Sequence, residues 1–140
     1  MDSVKKQISN YITLLSQDKQ KDVELLYQMA LLLAPNCKLW FLDGKDAKGK
    51  VVSNPNIGFG SCILKSAKGA AREFYKLGLS ANTSGISIYV FDLPSKTYLQ
   101  ERYASRLGKA SISGYCIKCK RLSDVHHEVV EELFKHFLQA

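Results

Sequence analysis

Ile8, Tyr11, Ile12 and Leu15 fall at i, i+3, i+4 and i+7, so one face of residues 4–15 is apolar and the rest is polar. That period predicts an amphipathic helix, with Ser3 placed to cap its first turn. After Ser16-Gln17-Asp18 the spacing returns in Val23, Leu26, Met29, Ala30 and Leu33, and Pro35-Asn36 supplies a stop. Two helices therefore open the chain.

From Lys38 the period shortens. Leu39-Trp40-Phe41-Leu42 is a brief apolar run followed by Asp43-Gly44, a polar loop through Lys50, and Val51-Val52, which reads as a hairpin. Residues 57–64, 73–77 and 85–91 are rich in β-formers and are separated by Lys/Gly/Ala and Ser/Asn/Thr/Gly turns. Such short connections predict antiparallel pairing, because a parallel return needs a long crossover. Pro94-Ser95 then introduces Tyr98, Leu99, Tyr103 and Leu107 at helical spacing, with Gly108 placed for a left-handed C-cap. One more strand is expected around residues 115–119, and Ser123 is placed to cap a last helix carrying Val125, Val129, Leu133 and Phe137. The predicted class is α+β, with a mainly antiparallel sheet of five to six strands packed by N-terminal and C-terminal helices. No repeat, linker or low-complexity segment divides residues 1–140, so one domain is expected.

Composition adds limits. A chain of 140 residues can bury roughly two-thirds of the surface it exposes when unfolded. Its 46% hydrophobic and 24% charged residues point to an ordered core rather than disorder. No apolar run approaches the ~18 residues of a membrane span, so no membrane partner is expected. Cys37, Cys62, Cys116 and Cys119 lie among apolar residues, and Met1–Lys6 leads into the first helix without a signal-peptide pattern. Both features predict free thiols and a cytoplasmic location.

Several blocks carry a family resemblance by their order along the chain. They are Lys38-Leu39-Trp40-Phe41, Asn54-Pro55-Asn56-Ile57-Gly58-Phe59-Gly60, Gly85-Ile86-Ser87-Ile88-Tyr89, and Leu107-Gly108-Lys109 through Cys116-Ile117-Lys118 to Asp124-Val125. Together, over residues 4–138, the chain resembles the bacterial YdhG-like family of unknown function. The resemblance implies a frataxin-like fold, with helices on one face of an antiparallel sheet, and for some members a link to intracellular iron delivery. Frataxins concentrate carboxylates along their first helix. Here residues 2–24 hold Asp2, Asp18, Asp22 and Glu24 against Lys5, Lys6, Lys19 and Lys21, so that acidic ridge is missing.

Chemistry-bearing residues fall into a few groups. On the last helix, Asp124, His127, Glu128 and Glu131 share one side with Lys135, and His127 with Glu131 at i, i+4 is the best pair for holding iron or zinc. A solvated face with an ordinary Glu131–Lys135 pair is the competing reading, and His126 and His136 are expected as packed or boundary residues. Cys116 and Cys119 have the spacing of a zinc knuckle, yet on a strand residues three apart point to opposite faces, so inert structural thiols are expected. The glycines of Ile57-Gly58-Phe59-Gly60 lack the context of a phosphate loop and indicate close backbone packing or a bulge.

The net charge of +7 permits phosphate-bearing partners, and its sharpest asymmetry is local. Arg102, Arg106, Lys109, Lys118, Lys120 and Arg121 occur in one stretch without an acidic residue. With Tyr89 and Phe91 on one strand face, they outline an anion- or nucleic-acid-binding surface; edge protection and helix packing are the plainer uses of such residues. Asp43, Asp46 and Asp92 sit in turn-like contexts and Ser61 lacks an elbow pattern, so no catalytic constellation is apparent. The sequence thus predicts a noncatalytic binding or carrier protein. Its ligand is a metal by resemblance or an anion by charge; failing both, the chain is a protein-interaction subunit.

Overall fold

The N-terminal period produces the helix it predicts. In the structure, a computed structural model describing residues 3–139, the Ser3 hydroxyl accepts a hydrogen bond from the Lys6 amide at 3.2 Å and opens α1 (Val4–Thr13). Asp2, counted above with the N-terminal carboxylates, lies outside the described residues. α2 (Gln17–Leu33) buries Val23, Leu26, Met29 and Ala30 as its spacing requires, with Tyr27 beside them.

Among the described residues eight strands follow: β1 (Leu39–Leu42), β2 (Asn56–Phe59), β3 (Cys62–Lys65), β4 (Ala71–Phe74), β5 (Leu77–Asn82), β6 (Gly85–Val90), β7 (Ser111–Ser113) and β8 (Cys116–Cys119). Helix α3 (Tyr98–Leu107) precedes β7, and α4 (His127–Gln139) ends the fold. Six strands form an antiparallel sheet in the order β1-β2-β5-β6-β8-β7, while β3 and β4 pair separately. The fold is α+β.

Alternation sorts the sheet into two faces. Ile57, Phe59, Leu77, Leu79, Ile86, Ile88, Val90 and Ile117 point toward the helices and join side chains of all four in one buried cluster. Each fully buried aliphatic side chain contributes about 1.5–3 kcal/mol by leaving water. The Tyr11 hydroxyl also accepts from the Ala81 amide at 2.9 Å, tying α1 to β5.

Among the described residues the opposite face carries no helix. There Gly58 pairs with Gly78, and a Cβ on either would come within 2.4–2.7 Å of Tyr75 ring atoms or Cβ. The missing side chains make room for that ring, and the β3–β4 hairpin follows it out of the main sheet. Among the described residues no helix is long and apolar enough to cross a membrane.

Four local expectations need correction. β1 pairs with β2, not with Val51-Val52; only an isolated Lys45–Val51 bridge forms within the loop, because the apolar Ile57 and Phe59 give β2 a core face that the exposed Val51 and Val52 lack. The apparent strands 57–64 and 73–77 each break where the hairpin departs, at Gly60 in the first case and at Tyr75-Lys76 in the second. Gly108 has φ +99° and ψ −139°, outside the left-handed helical region, and bridges to Val125 instead of capping α3. That bridge holds Val125 extended, and the Asp22 carboxylate accepts from the Leu122 amide at 3.0 Å. Ser123 is therefore in a 3-10 turn and α4 starts only at His127, its first turn bonding back to the His126 carbonyl.

Candidate functional site

Three segments meet at one end of the sheet. The β5–β6 turn is closed by the Asn82 carboxamide oxygen, which accepts from the Ser84 amide at 2.9 Å. Gly85, at φ +141°, lets this turn abut the end of β8: a Cβ there would lie 2.3 Å from the Cys119 carbonyl oxygen and 2.7 Å from Lys120 Cα. On the other side, the Leu107 carbonyl accepts from the His126 amide at 2.8 Å and the Asp124 carbonyl from the Lys109 amide at 3.0 Å. These bonds fix the chain between α3 and β7 against the turn before α4.

Between the segments lies a cleft of about 600 Å³. Lys109, Lys118, Lys120 and Arg121 line it together with Asn82, Ser84, Ser111 and Asp124. Four cations thus face one carboxylate. All four are exposed, and among the described residues none lies in an ion pair. Lys118 and Lys120, two residues apart, stand about 7 Å from each other along the backbone. Two unit charges at that spacing repel by roughly 0.6 kcal/mol in water-like surroundings, small enough for the two side chains to stand side by side. Polar hydroxyls beside cations equip the cleft to hold an anion by charge-assisted hydrogen bonds.

The other two residues of the basic stretch lie elsewhere. Arg106 donates from both terminal nitrogens to the Glu132 carboxylate, at 2.7 and 2.8 Å, and so joins α3 to α4. That ion pair lowers the Glu132 pKa and raises that of Arg106. Arg102 lies over the Tyr98 ring, 5.2 Å from its centroid. Sequence proximity grouped six cations; the fold keeps four together.

The residues considered for metal binding separate as well. Asp124 belongs to the basic cleft, whereas His127 and Glu131 line a groove between α2 and α4 with Leu25, Met29, Leu32 and Leu33. Glu128 is exposed on the first turn of α4. Among the described residues no three His, Cys, Asp or Glu side chains converge where they could hold a metal ion. The donor set does not fit iron or zinc, which need more than one i, i+4 pair. His126 and His136 are exposed rather than packed away, although the His136 ring meets the Tyr98 hydroxyl at 3.2 Å.

The strand register shows why the two close cysteines cannot share a ligand. Cys119 pairs with Ile86 on the core face and Cys116 with Tyr89 on the opposite one. All four cysteines are free. Burial pushes the Cys119 thiol up to about 11, and burial also raises Cys116, against a smaller opposing pull from Lys118. Such thiols are poor nucleophiles. Asp43 and Asp46 accept from nearby loop amides, as turn residues do.

Sequence reasoning found the cleft's cations but not Asn82, Ser84 or Ser111. The turn at residues 82–85 was legible; its approach to β8 depends on a pairing across the α3 excursion. No family model matches this chain, and no curated protein or solved structure is significantly similar to it.

Proposed function

We propose that this chain is a noncatalytic binding protein whose ligand carries phosphate, or an equivalent multivalent anion, held in the cleft at the end of the sheet. One observation carries the reading: Lys109, Lys118, Lys120 and Arg121 line a single cleft with one carboxylate, Asp124, and among the described residues none of the four forms an ion pair. Elsewhere the fold does pair exposed cations, as with Lys38 and Glu73 at 3.0 Å. The size of the cleft falls within the roughly 300–1,000 Å³ of small-molecule sites.

The YdhG-like resemblance and its frataxin-like arrangement belong to this proposal as a reading of the fold. They are supported by an antiparallel sheet whose one apolar face packs against all four helices. The free thiols favour a reducing, cytoplasmic setting. Iron or zinc carriage has no convergent donor set behind it among the described residues. A protein-interaction role would rest on the α2–α4 groove, where Leu32 is 82% exposed, and it predicts a chain indifferent to phosphate.

Calorimetric titration with inorganic pyrophosphate separates these readings. The wild-type chain is expected to bind, with affinity falling as salt rises. Lys118→Glu combined with Lys120→Glu should weaken binding at least about tenfold, because each reversal replaces an attraction by a repulsion. Both side chains are exposed, so the melting temperature should hardly move. Absent binding, or equal binding by the double variant, would remove the cleft as an anion site.

A further inference from the structure

We infer that the cleft's ligand is a single-stranded nucleic acid, with its backbone on Lys118, Lys120 and Arg121 and with bases stacked outside the cleft, on Tyr89 diagonal to Lys118 and on Tyr115 beyond it. The inference rests on the anion-binding reading of the cleft and extends it to a ligand class.

The register provides the track. Tyr89 pairs with Cys116 and Ser87 with Lys118, all on the helix-free face, since Ile86, Ile88, Ile117 and Cys119 occupy the other. Tyr89 and Lys118 are therefore diagonal neighbours, one side-chain row apart, or about 7 Å along the strand. Beyond Tyr89 stands Tyr115, whose ring centroid is 6.1 Å away and which is 51% exposed. Phe91 stacks behind Tyr115 at 5.1 Å and 24°. The backing ring holds Tyr115 in place, so little side-chain freedom remains to be lost when a base stacks on it.

The opposite border of the track is also open. β7 is a three-residue edge strand whose outward positions are Ser111 and Ser113, both exposed and small. Rings followed by cations along one open surface match a strand that alternates bases with phosphates. A mononucleotide would leave part of this track empty. A duplex keeps its bases stacked inside and cannot offer them to Tyr115. An acidic peptide would satisfy the cations and leave the rings unused.

Fluorescence anisotropy with a labelled oligo(dT) 12-mer tests the assignment, with pyrophosphate calorimetry run on the same samples. The 12-mer is expected to bind at least about tenfold more tightly than pyrophosphate or a duplex of equal length. Tyr115→Ala should weaken the 12-mer about tenfold, a change within the usual worth of one stacked base, and leave pyrophosphate affinity unaltered. Tyr115→Phe, which keeps the stacking surface, should retain the affinity. Pyrophosphate binding without tighter 12-mer binding, or a 12-mer affinity indifferent to Tyr115→Ala, would overturn this inference and spare the anion site. A chain that binds neither probe overturns both.

Discussion

The helix-free face of the sheet consists of two unlike halves. Over β2 and β5, Gly58 and Gly78 give up their side chains to Tyr75, which is 3% exposed and stacks at 4.3 Å and 28° on Phe74, the last residue of β4. Over β6, β8 and β7, Tyr89 and Lys118 stand with small residues around them, and the basic cleft adjoins them. Aromatic residues occur in both halves. Where glycines make room, the ring becomes a second core; where small residues and unpaired cations surround it, the ring stays partly exposed. Neighbouring chemistry, rather than residue type, separates packing from recognition.

The most damaging way to break this contrast is to attack the sealed half. Tyr75→Ala should cost about 3–5 kcal/mol, the range for truncating a buried aromatic side chain. Gly78→Ala should cost about 1–3 kcal/mol, since its new methyl would have to displace the ring. In the double variant the methyl enters the space the ring has left, so the costs should sum to less than their parts. Urea unfolding of the four chains measures this coupling. Pyrophosphate affinity of Gly78→Ala should equal that of the wild type. A Tyr75→Ala chain as stable as the wild type would mean that the hairpin half is no core at all.

What the sequence disclosed follows the same division. Helical periods at residues 4–15 and 23–33 were legible because one buried face imposes a repeat on its own segment. The β3–β4 departure was not, since Gly60 and Tyr75 acquire their meaning from each other across the sheet. Val125 seemed helical because it continues the stripe of Val129, Leu133 and Phe137; a long-range bridge to Gly108 outweighs that local period. For the candidate site, charge counting located the cations but could not tell that Arg106 had a partner 26 residues away in Glu132. Only the fold distinguishes a spent charge from a free one.

A smaller effect concerns the two faces of β8. Cys119 faces the core, and burial raises its thiol pKa from the ordinary 9.0 to about 11. Between those values the unfolded chain releases this proton while the folded chain retains it, so this thiol's contribution to stability should be flat below pH 9 and fall as pH rises toward 11. Removing the thiol in Cys119→Ala should make that alkaline fall shallower. Cys116 faces the open half beside Lys118, whose charge partly offsets the effect of burial. Alkylation followed by mass spectrometry should therefore modify Cys116 before Cys119. Both are 6% exposed, so the reverse order would place the more reactive thiol on the helix side and erase the asymmetry between the faces.

The smallest expected effect comes from Arg106, and it sharpens the distinction most. Glu132 is held below the ordinary carboxylate range, with its hydrogen bonds from Arg106 as the largest cause. A lowered pKa in the folded state means that the pair stabilises the chain above the ordinary carboxylate range and loses that effect as pH falls through the folded value. Both side chains are about half exposed, so salt and water keep the contribution small. In Arg106→Gln, the Glu132 titration followed by NMR should move up toward its ordinary position, while pyrophosphate affinity stays as in the wild type. A free-energy loss in Arg106→Gln about a quarter of that in the Lys118→Glu, Lys120→Glu chain, in proportion to one unit of charge against four, would show that the basic stretch acts as one diffuse field. Unchanged affinity in the first and collapse in the second requires a ligand that reads position, because the two arrangements differ in partners and place rather than in the sign of their charge.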